Sequence, residues 1–479
     1  LILSANALKK IGKEIQKLHL QHLAIADCGL TEFPRMVLRL GRSLKNLDLS
    51  DNKICSIPKQ IGRLVNLTSL NVKHCGISDG ISLHYLAKTL KILEISANKL
   101  SKVPPEWAQL VKLEELYLNK NSLRTIPDAI ASLSQLRVLE INRNKLTTIT
   151  DKIGQLTNLS SLSLQANNIT SLPDSFSNLV SLQHLSLDKN KLDFIYSLES
   201  SSSSSSSSSE DNERKVCTVT FSNMTKLQSI SLAENNIHSF PRGLGKAQAA
   251  SLAHIDSSHN FITTFDDDLF NISSLELFNI SYNQITTESF TDDIQNLKNM
   301  TMLDITQNQV TKLPDAITKL TKLATLNMSY NTEKDLKEDE KFAQWLSDQH
   351  VHFECDYEKP DLIIDKLYLG DQFASSGKLH LKAIGITHIL TIIRNYPPPF
   401  PKDFVYKVIE VDDTPSTNLR KVFDETSKFI GEGIAAGGCF VHCQAGVSRS
   451  ATAVIAYLMG IEKMRLQVAF DLVREKRPR

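Results

Sequence analysis

The chain has 479 residues, enough for two or more domains at roughly 100–200 residues each. Hydrophobic residues make up 41% and charged residues 22%, the balance of an ordinary folded chain rather than a disordered or membrane-spanning one. With 54 Lys+Arg against 53 Asp+Glu the net charge is +1, which gives no global attraction to nucleic acid or to an anionic membrane. No apolar run reaches the ~18 residues of a spanning helix, so neither nucleic acid nor membrane is expected as a partner. The 7 cysteines are scattered without a CxxC pair or metal-ligand spacing, which predicts a reducing compartment, the cytoplasm, with the nucleus left open. The sequence begins at Leu1, inside a repeat, and a further N-terminal stretch is expected before it.

From the N-terminus the pattern LxxLxLxxNxL recurs, as in Leu44, Leu47, Leu49, Asn52 and Ile54. Asn, or Cys in its place, falls at 6, 28, 52, 75, 98, 121, 144, 167, 190, 235, 260, 283, 308 and 331, which makes fourteen copies mostly 23 residues apart. Each Leu-x-Leu segment predicts a short inward-facing strand. The Asn side chain is expected to satisfy backbone groups where the chain turns away. Cys28 and Cys75 are then buried structural thiols. Apolar-Pro pairs such as Ile57-Pro58 and Ile126-Pro127 end the strand side of many copies, since proline has no N–H to pair. The spacing and the motif resemble leucine-rich repeats, and residues 1–331 are assigned to such a solenoid.

One interval, Asn190 to Asn235, is 45 residues long and contains ten consecutive serines, Ser200 to Ser209. Such a stretch buries too little to offset its ordering entropy, so a disordered insertion is expected over about 196–217. An inert loop is favoured there over a phosphorylation site. Asp48, Asn71, Glu94, Tyr117 and Glu140, and their counterparts on to Asn327, form a polar row on the expected concave face. Its acidic members suit a basic patch on a protein partner. Asn-x-Ser/Thr sequons are read as chance products of the composition. Residues 332–360 are expected to form a cap helix, with Phe342, Trp345 and Leu346 on its apolar edge, and then a linker from His350.

From Asp361 helical and extended segments alternate, which predicts an α/β domain over 361–479. Strands are expected at Ile389–Ile393, Tyr406–Val411 and Cys439–Val441, with a helix over about Ser416–Ala435. The last strand runs into His442-Cys-Gln-Ala-Gly-Val-Ser-Arg-Ser450, and a helix follows from Ala451. Strand, tight loop and helix together make a phosphate cradle, because backbone N–H groups converge at the positive end of a helix. Gly446 permits the backbone angles and the close approach such a loop needs. Arg449 can hold two phosphate oxygens in a fork. The same field favours the thiolate of Cys443, a nucleophile aimed at phosphorus.

His-Cys-x5-Arg-Ser resembles the signature of cysteine-dependent protein phosphatases. The wider text, with Ala451-Thr452, Ala456-Tyr-Leu-Met459 and Asp361–Gly370, is similar to the dual-specificity branch and its MAP kinase phosphatases. Leucine-rich repeats joined to this domain resemble the MAP kinase phosphatases with leucine-rich repeats of social amoebae. The resemblance implies a phosphate-binding loop of Gln444, Ala445, Gly446, Val447, Ser448 and Arg449, with Cys443 as nucleophile. It implies a general acid about thirty residues upstream. Asp413 is favoured over Asp412, which lie 30 and 31 residues before Cys443. Ser450 is implied to assist the departure of Cys443, and His442 to order the loop. The implied reaction needs no metal and no cofactor. The family continues past Arg479 with an Asn-containing segment and a last helix, so the domain is expected to be C-terminally truncated here.

The leading expectation is therefore a phosphatase for phosphotyrosine and phosphoserine/threonine, acting on a phosphorylated protein, with a MAP kinase as the substrate the resemblance implies. The repeats would bind a protein partner. The uncharged loop side chains disfavour a phosphoinositide. The alternative is a signalling scaffold, in which the repeats bind a Ras-like GTPase and the phosphatase fold mainly binds phosphoproteins. Cys443, Arg449 and Asp413 occurring together argue against it. Cys439 reads as a core thiol rather than a redox partner.

Overall fold

The computed structural model describes residues 1–6, 8, 11–193, 219–331, 340–349, 351–354, 359–372, 374–414 and 417–478. The chain divides into two compact units, Leu1–Asp304 and Ile305–Arg479. Among the described residues no helix is long and apolar enough to cross a membrane.

In the first unit the repeat copies supply three-residue strands, from β1 (His22–Ala24) to β12 (Met302–Asp304). Neighbours pair in parallel and in chain order, with equivalent leucines in register: Leu47 opposite Leu70, Leu70 opposite Leu93, Leu93 opposite Leu116. The first copy, around Asn6, adds only the bridge Ile2 to Ala24. The central residue of each strand, most often leucine, is buried and its neighbours are partly or fully exposed, the pattern of a sheet covered on one face. The expected polar row falls on the third residue of each strand, such as Asn71 and Glu94.

The recurring asparagines of the repeats act as cross-repeat staples. Asn98 Nδ2 donates to the carbonyls of Val72, Ile95 and Ser96 at 2.9, 2.9 and 3.1 Å. Its Oδ1 accepts from the N–H groups of Cys75 and Ile77 at 3.1 and 2.9 Å. One buried side chain therefore satisfies groups in two consecutive repeats. Cys75 keeps the cross-repeat bond, its Sγ donating to the Leu49 carbonyl at 3.1 Å, and burial pushes its thiol up to about 11. The residue just before each Asn or Cys is left-handed, with φ between 50° and 59° in all fourteen copies.

The outer return is a 3-10 helix in most copies. Pro58, Pro104, Pro127 and Pro173 each occupy the position before one, as a residue without an N–H should. Each helix buries one large residue: Ile61, Trp107, Ile130 and Phe176 in these four. The long interval does not interrupt the sheet. β8 (His184–Ser186) pairs in parallel with β9 (Ser229–Ser231), and Leu192 N donates to Asn235 Oδ1 at 3.0 Å. The Ser-rich stretch itself lies outside the described residues.

The second unit opens with β13 (Thr325–Asn327), followed by helix α1 (Glu340–Asp348), which buries Phe342, Trp345 and Leu346. The segment expected as a linker contains a strand instead: β14 (His352–Glu354) pairs in parallel with β13. Val351 and Phe353 are buried there, so alternate apolar residues gain by adding to the sheet edge.

The remainder is a five-stranded sheet of β15 (Asp361–Ile364), β16 (Leu367–Gly370), β17 (His388–Thr391), β18 (Val405–Val408) and β19 (Cys439–His442). The order is β15-β16-β19-β17-β18, antiparallel only at β15/β16. Alternation along the strands makes two cores. Leu369, Leu390 and Val441 face one, with α3 (Phe423–Ala436), α4 (Arg449–Gly460) and α5 (Leu466–Lys476). Ile389 and Phe440 face the other, with Leu381 of α2 (Lys378–Ala383). This is the three-layer α/β arrangement that the alternating pattern predicted.

Several boundaries differ from expectation, among them the end of β17 at Thr391 rather than Ile393. β18 ends at Val408 rather than Val411, because beyond Ile409 the acidic residues leave the sheet for partners elsewhere. Helix α3 begins at Phe423, after a 3-10 turn Leu419–Val422 whose entry is capped by Asn418 Oδ1 accepting from Arg420 N at 3.1 Å.

Candidate active site

The central strand β19 carries the site. Gly370, His442 and Thr391, the last residues of β16, β19 and β17, lie in register. Three loops therefore leave the same sheet edge, at the carboxyl ends of parallel strands, where open α/β sheets bind ligands. Residues 443–448 form the loop after β19, and α4 starts at Arg449, two residues earlier than the sequence suggested.

Cys443 lies at the base of this loop, 1% exposed. Its Sγ accepts from Gly446 N at 3.2 Å and from Ser450 Oγ at 3.1 Å. Burial alone would raise the thiol. Hydrogen bonds from the Ser450 hydroxyl and backbone and from the Gly446 backbone, with the Arg449 charge, outweigh it and hold the thiol below its ordinary value. Cys439, four residues back on β19, has only the desolvation, which pushes it up to about 12. The two thiols share a core yet are pushed in opposite directions.

Gly446 has φ +70°, and a Cβ there would meet the Gly370 carbonyl oxygen at 2.5 Å and Arg477 Nη2 at 2.6 Å. Both conformation and space therefore require glycine. Gln444, Ala445, Val447 and Ser448 are exposed around the loop, and the Gln444 carbonyl accepts from Gln372 N at 3.3 Å. Arg449 is buried, its Nη1 donating to the Val411 carbonyl at 3.0 Å and its Nε 3.5 Å from Asp413 Oδ2.

Asp413 and Asp412 part ways. Asp413 Oδ1 accepts from Ser448 Oγ at 2.9 Å, so its carboxylate sits against the loop. Asp412 pairs outward with Arg394 at 2.8 Å. His442 is fully buried, stacked on Phe440, with Nε2 2.8 Å from Thr391 Oγ1. Burial takes its imidazole down to about 3, against a weaker upward pull from a backbone bond with Cys443. Burial therefore favours its neutral form.

The dual specificity phosphatase catalytic-domain family matches residues 367–479. Dual specificity protein phosphatase 1B of Arabidopsis thaliana is 46% identical over 112 residues, covering 23% of this chain and 67% of that protein. The chain belongs to the dual specificity phosphatase family. MAP kinase phosphatase with leucine-rich repeats protein 1 of Dictyostelium discoideum is 48% identical over 120 residues. That match spans 25% of this chain and 14% of the Dictyostelium protein. Leucine-rich-repeat families match residues 88–146, 134–192 and 43–64. A solved leucine-rich-repeat protein of Leptospira interrogans is similar over 74% of this chain and 83% of its own, with 28% identity and TM-score 0.62.

One residue of the site carried almost no signal in the sequence. Arg477, at the end of α5, is 5% exposed. Its Nε donates to the Gly446 carbonyl at 2.9 Å and its Nη2 to the Ala445 carbonyl at 3.3 Å. It also pairs with Asp361 and, at 3.5 Å, with Asp371. The arginine grips the loop's carbonyls from behind, so the opposite faces of those peptides present N–H groups inward. The only sequence signal was a basic residue near a helix end, which is ordinarily a solvated charge.

Proposed function

We propose that residues 361–479 hydrolyse phosphotyrosine and phosphoserine/threonine in proteins through a phosphocysteine intermediate. A MAP kinase is the substrate suggested by the names of the Dictyostelium relatives. The repeats are a protein-binding module, and the work is placed in the cytoplasm or nucleus. The observation that carries the reading is the Cys443 sulfur held by Gly446 N and Ser450 Oγ, with the Asp413 carboxylate beside the same loop.

In this mechanism the substrate phosphate occupies the loop and takes Arg449 as its partner in place of Asp413. The Cys443 thiolate forms an S–P bond as the P–O bond to the substrate breaks. Asp413 gives its proton to the departing oxygen. Asp413 then takes a proton from water, whose oxygen attacks phosphorus. The S–P bond breaks, and inorganic phosphate and the thiolate are released. Ser450 stabilises that returning thiolate. A scaffold that only binds phosphoproteins gives no reason for a thiol held below its ordinary value.

The test is turnover of a peptide phosphorylated on both Thr and Tyr. Cys443→Ser is expected to be inactive yet still bind the peptide, and Asp413→Ala to be slowed by roughly a hundredfold or more, the scale of general acid catalysis. Equal turnover by all three proteins refutes the mechanism. Asp412→Ala with a larger loss than Asp413→Ala exchanges the two roles.

A further inference from the structure

The outer 3-10 helices can be aligned on one hydrogen bond, donated by the buried central residue to the carbonyl three residues earlier. It runs from Ile15 to Gly12, Val37 to Pro34, Ile61 to Pro58 and Leu86 to Leu83, and then through the copies centred on Trp107, Ile130, Ile153 and Phe176. Two residues before the centre, the first four copies carry Lys13, Arg35, Lys59 and His84. The next four carry Pro105, Asp128, Asp151 and Asp174 at that place. Two residues after the centre the first four have Lys17, Arg39, Arg63 and Lys88, and the next four only neutral polar residues.

This change of sign runs against local physics. The first turn of a helix exposes unpaired N–H groups and favours acids. Asp128, Asp174, Asp292 and Asp315 obey that preference in other copies. The first three copies place the cations Lys13, Arg35 and Lys59 there instead, the first beside Glu14. The lysines and arginines of both rows are exposed, and among the described residues none forms an ion pair. First-turn cations in three successive copies, with no ion pair to them among the described residues, mark a surface shaped for something outside it.

The rows border a recess of about 570 Å³ walled by Arg39, Arg42 and Arg63, with Leu18 and Val65 44% and 54% exposed at its rim. We propose that this face binds an extended acidic protein segment with Glu or Asp on alternate residues. Successive cations advance by one repeat, at least the ~4.8 Å between parallel strands, and alternate side chains of an extended peptide by ~6.6 Å. The acids meet the arginines, and the intervening apolar side chains meet Leu18 and Val65. A flat lipid surface does not enter such a recess. This surface is distinct from the strand face and independent of the phosphatase reading.

The experiment uses the whole chain and a fluorescein-labelled peptide of alternating Glu and Val, with fluorescence anisotropy as readout. Binding is expected to weaken with added salt. The double variant Arg39→Glu/Arg63→Glu is expected to bind at least roughly tenfold more weakly. Arg39→Gln/Arg63→Gln should show a smaller loss, and Lys99→Glu/Lys145→Glu, which lies outside the face, none. Thermal melting checks that each variant is folded. Equal weakening in the Lys99/Lys145 control, or unchanged binding in both arginine variants, overturns the proposal. So does preference for phosphatidylserine vesicles or duplex DNA over the peptide at the same salt.

Discussion

Arg477 Nε donates to the carbonyl of Gly446, 31 residues earlier in the chain, at 2.9 Å. The bond ties the end of the last helix to the residue whose own N–H faces the Cys443 sulfur, and Arg477 Nη2 holds the carbonyl of that N–H's peptide, Ala445, at 3.3 Å. Arg477→Met keeps much of the side-chain bulk and removes the grip. Its kcat/KM on a phosphopeptide is expected to fall roughly tenfold to hundredfold, the usual cost of displacing a reacting geometry by about an ångström. Alkylation of Cys443 by iodoacetamide should need a higher pH than in the wild type. If only the melting temperature falls, while kcat/KM and the alkylation profile hold, Arg477 is a strut of the fold and nothing more.

Ser450 Oγ is the side-chain donor to the same sulfur, at 3.1 Å. Ser450→Ala removes one charge-assisted hydrogen bond, worth about 1.5–3 kcal/mol. The returning thiolate loses more from this than the attacking one. Rapid-mixing assays with an aryl phosphate should then show a burst of the first product followed by slow turnover. A uniform loss in both phases would assign Ser450 to substrate binding instead.

The buried imidazole of His442 links stability to pH. It titrates at about 3 in the folded chain against 6.5 when unfolded. Its folded value is depressed, so its contribution is fully present above pH 6.5 and is lost as pH falls toward 3. The loss should approach about 1.4 kcal/mol per pH unit within that window. Hydrogen exchange of the β19 amides should quicken accordingly, and His442→Asn should flatten the slope. An unchanged slope in that variant removes His442 as the cause.

The repeat staples offer a test of their own. Asn98→Ala leaves the N–H groups of Cys75 and Ile77 and three carbonyls without their side-chain partner. The expected cost is roughly 2–4 kcal/mol, read from denaturant unfolding. Asn98→Cys should cost less, since Cys28 and Cys75 already keep the cross-repeat carbonyl bond in other copies. Equal losses for the two variants would show that the acceptor Oδ1 carries the effect rather than the donor.

Much of this architecture was readable because its signals are local. Leu47, Leu49 and Asn52 lie within six residues, and so do the turn and the strand they specify. The loop after β19 was readable for the same reason, since Cys443, Gly446, Arg449 and Ser450 occupy one short run from the end of β19 into the start of α4. The left-handed residue of each repeat was not, because Asp51, His74, Ala97, Lys120 and Tyr282 share no side-chain property. Its conformation goes with the Asn or Cys that follows it. Strand β14 was missed because three residues outside the repeat pattern carry almost no periodicity, and only the edge of β13 makes them a strand. Arg477 was missed because its partner Asp361 lies 116 residues away, a distance that no pattern within the sequence spans.

The hydrogen-bond ladder closes across the 45-residue interval between Asn190 and Asn235 as it does elsewhere. That gives engineers a natural splice point. Between Leu192 and Val219 the sheet neither gains nor loses a rung, so a fluorescent protein or a protease cleavage sequence can be exchanged into the interval while the flanking copies stay in register. A chain nicked there and kept together by the unbroken rungs would report directly how much cohesion neighbouring copies supply without a covalent link.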